Sequence, residues 1–260
     1  MKIPFEESAG GEKPIVLLHA FPLSRKMWQM QIEALADAGF RVILPDLRGF
    51  GENHNFADIN SMEDLATDVK DLMDNLKIER AIIGGLSMGG YVTFNFYRLF
   101  PERFAGLLLF DTNPAADSEE KRQSRFDLID EIEKSGAQAL IDGMLPKLIG
   151  DWTKENNADL VEKLRAAFAS VNPQAAIAAL RGMAERQDHT ALLKDVNVPT
   201  LLIFGEDDNV TSPEIAEKMK SEIPGATLTK IKNAGHYSNL EQPEAFNDAL
   251  VSFVRLVDFK

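Results

Sequence analysis

The stretch Gly85-Leu86-Ser87-Met88-Gly89-Gly90, directly after the apolar run Ala81-Ile82-Ile83-Gly84, constrains the fold of this chain more than any other. A run short enough for one buried strand gives way at once to a helical pattern, with a serine at the junction. So sharp a turn holds Ser87 in a strained backbone conformation. Gly85 and Gly89 flank it because a Cβ at either position would clash with facing backbone. In a strand-then-helix setting, Gly-x-Ser-x-Gly reads as a nucleophile elbow that lifts the hydroxyl clear of a sheet. The helix starting there points its positive end and unpaired N–H groups at any oxyanion formed at the serine.

An elbow needs a parallel sheet to stand on, and the rest of the chain supplies the pattern for one. Ile15 to Leu18, Val42 to Leu44, Ala81 to Ile83, Leu107 to Phe110 and Thr200 to Phe204 read as buried strands, and Ala226 to Ile231 as a last one. Amphipathic segments lie between them. Ser61 to Leu76 carries Leu65, Val69, Leu72 and Leu76 at helical spacing behind a Ser61/Asp64 capping box, and Pro243 to Val257 reads as a closing helix. Near-continuous apolar strands alternating with helices predict an α/β, mostly parallel, doubly wound sheet covered on both faces.

The rhythm breaks between about Pro114 and His189. Four helical patterns follow one another there without a strand: Ser118 to Lys134, Ala137 to Leu145, Asn156 to Ala169 and Asn172 to Ala184. Asn172-Pro173 is an N-cap and first-turn pair. The expected organisation is a core domain of residues 1–113 and 190–260 with a helical cap, 114–189, inserted before the strand at 200–204. That cap would lie over the carboxyl edge of the sheet, where ligands bind in such folds.

Composition narrows the function classes. The 260 residues suffice for a sizeable core, and 45% hydrophobic with 27% charged residues is ordinary for a soluble enzyme. A formal net charge of −13 argues against nucleic acid or an anionic membrane as partner. The absence of cysteine excludes disulfides, thiolate metal sites and a cysteine nucleophile. The opening Met1 to Glu7 lacks the apolar core of a signal peptide, and no apolar run spans a bilayer, so a cytoplasmic protein is expected.

A serine hydroxyl becomes a nucleophile when a base takes its proton and a third group orients that base. The chain has four histidines: His19, His54, His189 and His236. His236, in Asn233-Ala234-Gly235-His236, lies between the last strand and the last helix, on the edge where Ser87 should emerge, and is the expected base. His19 closes the first long strand and reads as a backbone-bonded residue beneath the site. His54 lies in a polar loop, and His189 where the helical insertion rejoins the core. Gly205-Glu206-Asp207-Asp208 follows a strand and places Asp208 as the orienting acid, with Asp207 pointing away or capping the turn. Asp111, after Leu107 to Phe110, is the competing acid or a turn residue ahead of Thr112-Asn113-Pro114. Two backbone donors are needed for the oxyanion, and the N–H groups of Met88 and Phe21 are expected to supply them.

With Ser87, His236, Asp208 and the His19 loop in place, the chain resembles the α/β-hydrolase superfamily from about Pro14 to Val257. The loop Pro45-Asp46-Leu47-Arg48-Gly49-Phe50-Gly51 extends the resemblance. Gly-Leu-Ser-Met-Gly-Gly with a four-helix cap is similar to 3-oxoadipate enol-lactonases and the small carboxylesterases related to them. His-Ala-Phe-Pro-Leu-Ser and Gly182-Met183-Ala184-Glu185-Arg186 point to the carboxylesterase branch. Two features depart from the family: Ala20 stands where glycine is usual, and the segment before Ile15 is short, so the opening antiparallel strands are expected to be reduced.

The resemblance implies hydrolysis of small, short-acyl esters through an acyl-enzyme, with no metal or organic cofactor. Serine at the elbow separates the chain from relatives that use aspartate there for dehalogenation or epoxide hydrolysis. Trp28, Met144, Leu145 and Trp152, with Leu148 and Phe168, are candidates for a substrate pocket or for the core of the cap. Lactone hydrolysis is the rival enzymatic reading. It asks for a cation, which Arg165, Arg181 or Arg186 would supply unless these are solvated helix-face charges. Perhydrolysis and carbon–carbon bond hydrolysis use the same triad, and a hydrolase-like receptor with little turnover is the non-enzymatic alternative.

Overall fold

The computed structural model describes residues 3–259; Met1 and Lys2, where the opening segment was read for a leader, lie outside the described residues. In chain order the elements of the first half are β1 (Phe5–Glu7), β2 (Lys13–Leu18), α1 (Gln29–Asp37), β3 (Phe40–Pro45), α2 (Met62–Asn75), β4 (Ala81–Leu86), α3 (Met88–Leu99) and β5 (Phe104–Phe110). Six helices follow without a strand: α4 (Glu119–Ser135), α5 (Gln138–Gly143), α6 (Leu145–Leu148), α7 (Asp151–Asn156), α8 (Ala158–Ala169) and α9 (Pro173–Ala184). The chain then completes its sheet through β6 (Thr200–Gly205), α10 (Pro213–Glu222), β7 (Thr227–Ile231), α11 (Ser238–Glu241) and α12 (Pro243–Val254).

The seven strands form one sheet in the order β1-β3-β2-β4-β5-β6-β7, parallel except for β1, which pairs antiparallel with β3. Every residue of β4, β5 and β6 is buried, as a sheet covered on both faces requires. On the edge strand β7 only Ile231 is fully buried. The α/β-hydrolase architecture expected from the sequence is the observed one. The opening antiparallel portion is the three-residue β1 alone.

Local signals explain the helix starts. Ser61 Oγ accepts the Asp64 N–H at 3.0 Å and caps α2, and Asn172 Oδ1 accepts the Gln174 N–H at 2.9 Å ahead of Pro173 in α9. The helical segment differs from the four expected patterns in two places. The pattern at 137–145 splits into α5 and α6, because Pro146 lacks the N–H a continuous helix needs and starts a new turn. The short α7 is an addition, starting directly after Gly150, its N-cap. The closing helix ends at Val254, three residues before the expected Val257. Within the segment, α4 packs on α9, and α5 on α8. His189, at its far end, donates its N–H to Pro114 C=O at 2.8 Å, so its two ends meet.

Candidate active site

The central strand β4 carries Ser87 at its carboxyl end. The residue adopts φ 54°, ψ −111°, a strained conformation for a residue with a side chain, and it caps α3. The expected steric reason holds. A Cβ on Gly85 would lie 2.5 Å from the Gly89 carbonyl carbon, and one on Gly89 would lie 2.2 Å from Leu18 O. The serine backbone is tied on three sides: its N–H donates to Phe110 C=O at 3.0 Å, and its carbonyl accepts from Tyr91 N–H at 3.1 Å and Thr112 Oγ1 at 2.9 Å. Its side chain is partly exposed, whereas Leu86 and Met88 on either side are buried.

Asp208 follows β6 and His236 follows β7, both buried at this same edge. His236 Nδ1 lies 2.8 Å from Asp208 Oδ2. With its proton on Nδ1, the imidazole donates to the carboxylate and leaves Nε2 as an acceptor. Asp208 Oδ1 accepts the N–H groups of Val210 at 2.7 Å and Thr211 at 3.0 Å, and the Thr211 hydroxyl donates to Oδ2. Burial opposes ionisation of Asp208, but the attraction and hydrogen bond of His236 together with the Thr211 bonds outweigh it and hold the carboxyl below the ordinary aspartate range. Among the described residues no hydrogen bond joins Ser87 Oγ to His236. Thr211, three residues after Asp208, was missed from sequence; its signal is the turn in which an aspartate accepts N–H groups two and three residues on. Asp207 is exposed, as expected.

Asp111 does not touch the histidine. Its Oδ1 accepts Gly205 N–H at 2.8 Å, and Ser238 Oγ donates to Oδ2 at 2.5 Å. It stands behind β6 at φ 42°, fully buried. Burial and the Asp208 charge push its carboxyl well above the usual range.

The loop after β2 carries the second expected oxyanion donor. His19 uses both ring nitrogens beneath it: Nδ1 lies 3.0 Å from Ala20 O, and Nε2 accepts Leu47 N–H at 2.9 Å. Burial lowers its pKa, so it is a neutral brace between the Ala20-Phe21 loop and the loop after β3. Asp46, in that second loop, accepts the backbone N–H of Arg25 and of Glu52 at 2.9 Å each and pairs with the Arg25 guanidinium. The Phe21-Pro22 peptide is cis. Among the described residues neither Phe21 N–H nor Met88 N–H reaches a protein acceptor.

A cleft of about 1050 Å³ opens between these loops and the helical segment, lined by Pro22, Leu23, Met27, Phe50, Leu164 and Leu240 among others. The four residues expected at a substrate wall lie outside this lining. Trp28 is fully buried, its ring tilted against Phe110 and Phe246 at 5.9 and 6.3 Å. Leu145 is buried, Met144 half-buried, and Trp152 exposed at 40%. His54 lies at the cleft, on its exposed side. His189 is buried and stacks on Phe94 at 6.2 Å.

Of the expected cations, Arg165 is exposed and pairs with Glu162, and Arg181 is half-buried and donates to Asp58 C=O at 3.4 Å. Arg186 is buried. It pairs with Asp117 at 2.5 Å, donates to Ala115 and Met183 carbonyls, and lies 4.2 Å over the Tyr91 ring. Arg125 shares the Asp117 carboxylate with it at 2.5 Å. Two guanidiniums on one carboxylate leave a buried positive charge beside Tyr91, one helical turn after Ser87. From sequence Arg125 reads as one more charge on a polar helix.

Elbow, Asp–His pair and free backbone donors at one sheet edge have the layout of a hydrolase site, and the family model of the alpha/beta hydrolase family matches residues 15–249. The chain is an α/β hydrolase. A thermophilic esterase from Thermogutta terrifontis, solved with malate bound, is 39% identical with a TM-score of 0.94, over 98% of this chain and 93% of that one. The enol-lactonase from Burkholderia xenovorans LB400 is 27% identical with a TM-score of 0.87, over 97% of each chain. 3-Oxoadipate enol-lactonase 2 of Acinetobacter baylyi is 29% identical over 241 residues, 93% of this chain and 88% of its own. Among the described residues of this hydrolase, no helix is long and apolar enough to cross a membrane.

Proposed function

We propose that this α/β hydrolase is a serine carboxylesterase acting on small, short-acyl esters. The observation that carries the proposal is the 2.8 Å contact from His236 Nδ1 to Asp208, which aims Nε2 away from the carboxylate at the edge where the strained Ser87 stands. Ser87 Oγ attacks the ester carbonyl while His236 Nε2 takes its proton, and Asp208 stabilises the imidazolium. The N–H groups of Phe21 and Met88 hold the tetrahedral oxyanion. His236 then protonates the departing alcohol and activates a water that releases the acid and restores the serine. On this reading residues 114–189 form a cap, and substrate enters through the cleft between cap and core loops.

The test is hydrolysis of p-nitrophenyl acetate by the wild type and by Ser87→Ala, with fluorophosphonate labelling beside it. Turnover and labelling that both vanish in Ser87→Ala support the reading. A wild type that neither turns over the ester above buffer nor takes the label would overturn it in favour of a ligand-binding role. A panel of acyl chain lengths then tests the short-acyl preference.

One observation favours a second reading, in which the substrate carries a carboxylate, as a lactone acid or half-ester. The Arg125–Asp117–Arg186 cluster beside Tyr91 bears excess positive charge close to the nucleophile helix. The malate seen in the Thermogutta esterase is itself a small dicarboxylate. A half-ester of a dicarboxylic acid cleaved faster than its neutral diester, with the advantage lost in Arg125→Met, supports that reading over the first.

A further inference from the structure

The helical segment and the His236 loop meet backbone to backbone, around a carboxylate with no part in the chemistry above. Glu241, in α11, is 3% exposed. Its Oε2 accepts the Gly150 N–H at 2.9 Å, from the turn between α6 and α7, and the Thr153 hydroxyl at 2.8 Å, from α7. Its Oε1 accepts Tyr237 N–H at 3.2 Å, and Gly235 N–H also bonds to the carboxylate. Beside it, His236 N–H donates to Leu148 C=O at 2.9 Å. The two segments pass glycine against glycine: a Cβ on Gly235 would lie 2.4 Å from Gly150 N, and one on Gly150 would lie 2.9 Å from Gly235 N. The close approach brings four donors from two distant segments onto one side chain.

We infer that Glu241 is a positioning residue for His236, clamping residues 148–153 of the helical segment to residues 235–237 so that the helical segment holds the imidazole in register with Asp208. This rests on the proposed role of His236 as base. A buried carboxylate with four donors is satisfied only while both segments stay in place, and losing either strands N–H groups away from water. Donors from two segments separate this role from simple helix capping, where one segment supplies all of them. Any opening of the helical segment must therefore leave residues 148–153 in place and move the remainder, including α8 at the cleft.

The experiment compares wild type, Glu241→Gln and Thr153→Val. Rates of p-nitrophenyl acetate hydrolysis are normalised to active sites counted by fluorophosphonate, and amide hydrogen exchange is followed at His236 and Gly150. Glutamine keeps the shape but turns an NH₂ toward donors. Valine removes one donor from the helical segment and leaves the His236 loop untouched. The expected result is that kcat per labelled site falls about tenfold or more in Glu241→Gln and less in Thr153→Val. KM stays within about twofold, and exchange at His236 and Gly150 quickens together. If Glu241→Gln fails to fold, the same split in Thr153→Val carries the inference. Wild-type kcat per labelled site in either folded variant, with only the melting temperature lowered, overturns it. No label and no turnover in the wild type would strike the proposed function instead, and the exchange data would then still report whether the clamp exists.

Discussion

Tyr237 donates its hydroxyl to the Phe21 carbonyl at 2.9 Å, bracing the loop after β7 against the loop after β2. The residue next to the candidate base thus holds the residue whose N–H is a candidate oxyanion donor. Tyr237→Phe removes this strut and leaves a buried carbonyl short of a partner. The expected cost is about 1–3 kcal/mol of stability. On p-nitrophenyl acetate, kcat should fall with little change in KM, because the lost alignment matters most when the oxyanion forms. Thermal melts and steady-state kinetics on the one variant check both, and an unchanged kcat would show the strut to be irrelevant to the oxyanion.

The two buried aspartates should behave oppositely. Asp208→Asn removes the carboxylate partner of His236 Nδ1, and activity should drop by roughly four orders of magnitude with the fold intact. Asp111→Asn should retain activity, since Asp111 bonds Gly205 and Ser238 rather than the imidazole.

Asp111 also has a signature in stability. Burial and the Asp208 charge raise its folded-state pKa well above the ordinary aspartate value. Between those two values the native state keeps a proton that the unfolded chain has lost, so stability from this group declines as pH rises through the window. Asp111→Asn abolishes that ionisation. Its melting temperature should therefore fall less than the wild type's between acidic and alkaline buffers, and parallel melting curves would rule the titration out.

Asp117 has the reverse sign. Burial works against its charge, but Arg125 and Arg186 prevail and hold its carboxyl below the usual range. Its contribution is present above the unfolded value and lost as pH falls through the lowered one. Asp117→Asn strands two arginines and should cost about 3–5 kcal/mol near neutrality. Urea unfolding should show the deficit shrinking toward acid pH.

Gly89 and Gly106 make a matched pair for the elbow. A Cβ on Gly89 would meet Leu18 backbone at 2.2 Å, whereas one on Gly106 meets its nearest neighbours at 3.4 Å. Gly89→Ala should destabilise by about 2–3 kcal/mol or prevent soluble expression, and Gly106→Ala by under about 1 kcal/mol. Equal midpoints in denaturant would remove the steric account of the elbow.

The parallel sheet and the placement of Ser87, Asp208 and His236 at its carboxyl edge were legible because each depends on local pattern. An apolar run fixes a strand, and the residue just after it must lie at that strand's carboxyl end. Asp208 was separable from Asp111 by its strand-Gly-x-x-Asp placement, although both follow buried strands and both lie between Ser87 and His236 in the chain. Glu241 was not legible: it looks like a surface residue of a short helix, and its partners Gly150 and Thr153 lie 91 and 88 positions away. Tyr237 and Phe21 are 216 positions apart. Trp28 fits a pocket wall or a core equally well by residue type, and only packing against Phe110 and Phe246 assigns it to the core. The helical pattern read at 137–145 stopped short of Pro146, and the short turn α6 that the proline starts has too few residues to show a period of its own.

The strand order has a consequence for biosynthesis. The serine stands on the central strand, β4, while the aspartate and histidine follow the two strands added last, β6 and β7. A nascent chain that has reached only the helical segment already holds a shaped elbow but carries neither acid nor base. On the proposed chemistry it stays inert toward cellular esters until its final strand joins the sheet, because domains emerge amino terminus first. For the same reason, the return of hydrolysis during refolding would time the docking of β7 rather than the collapse of the core.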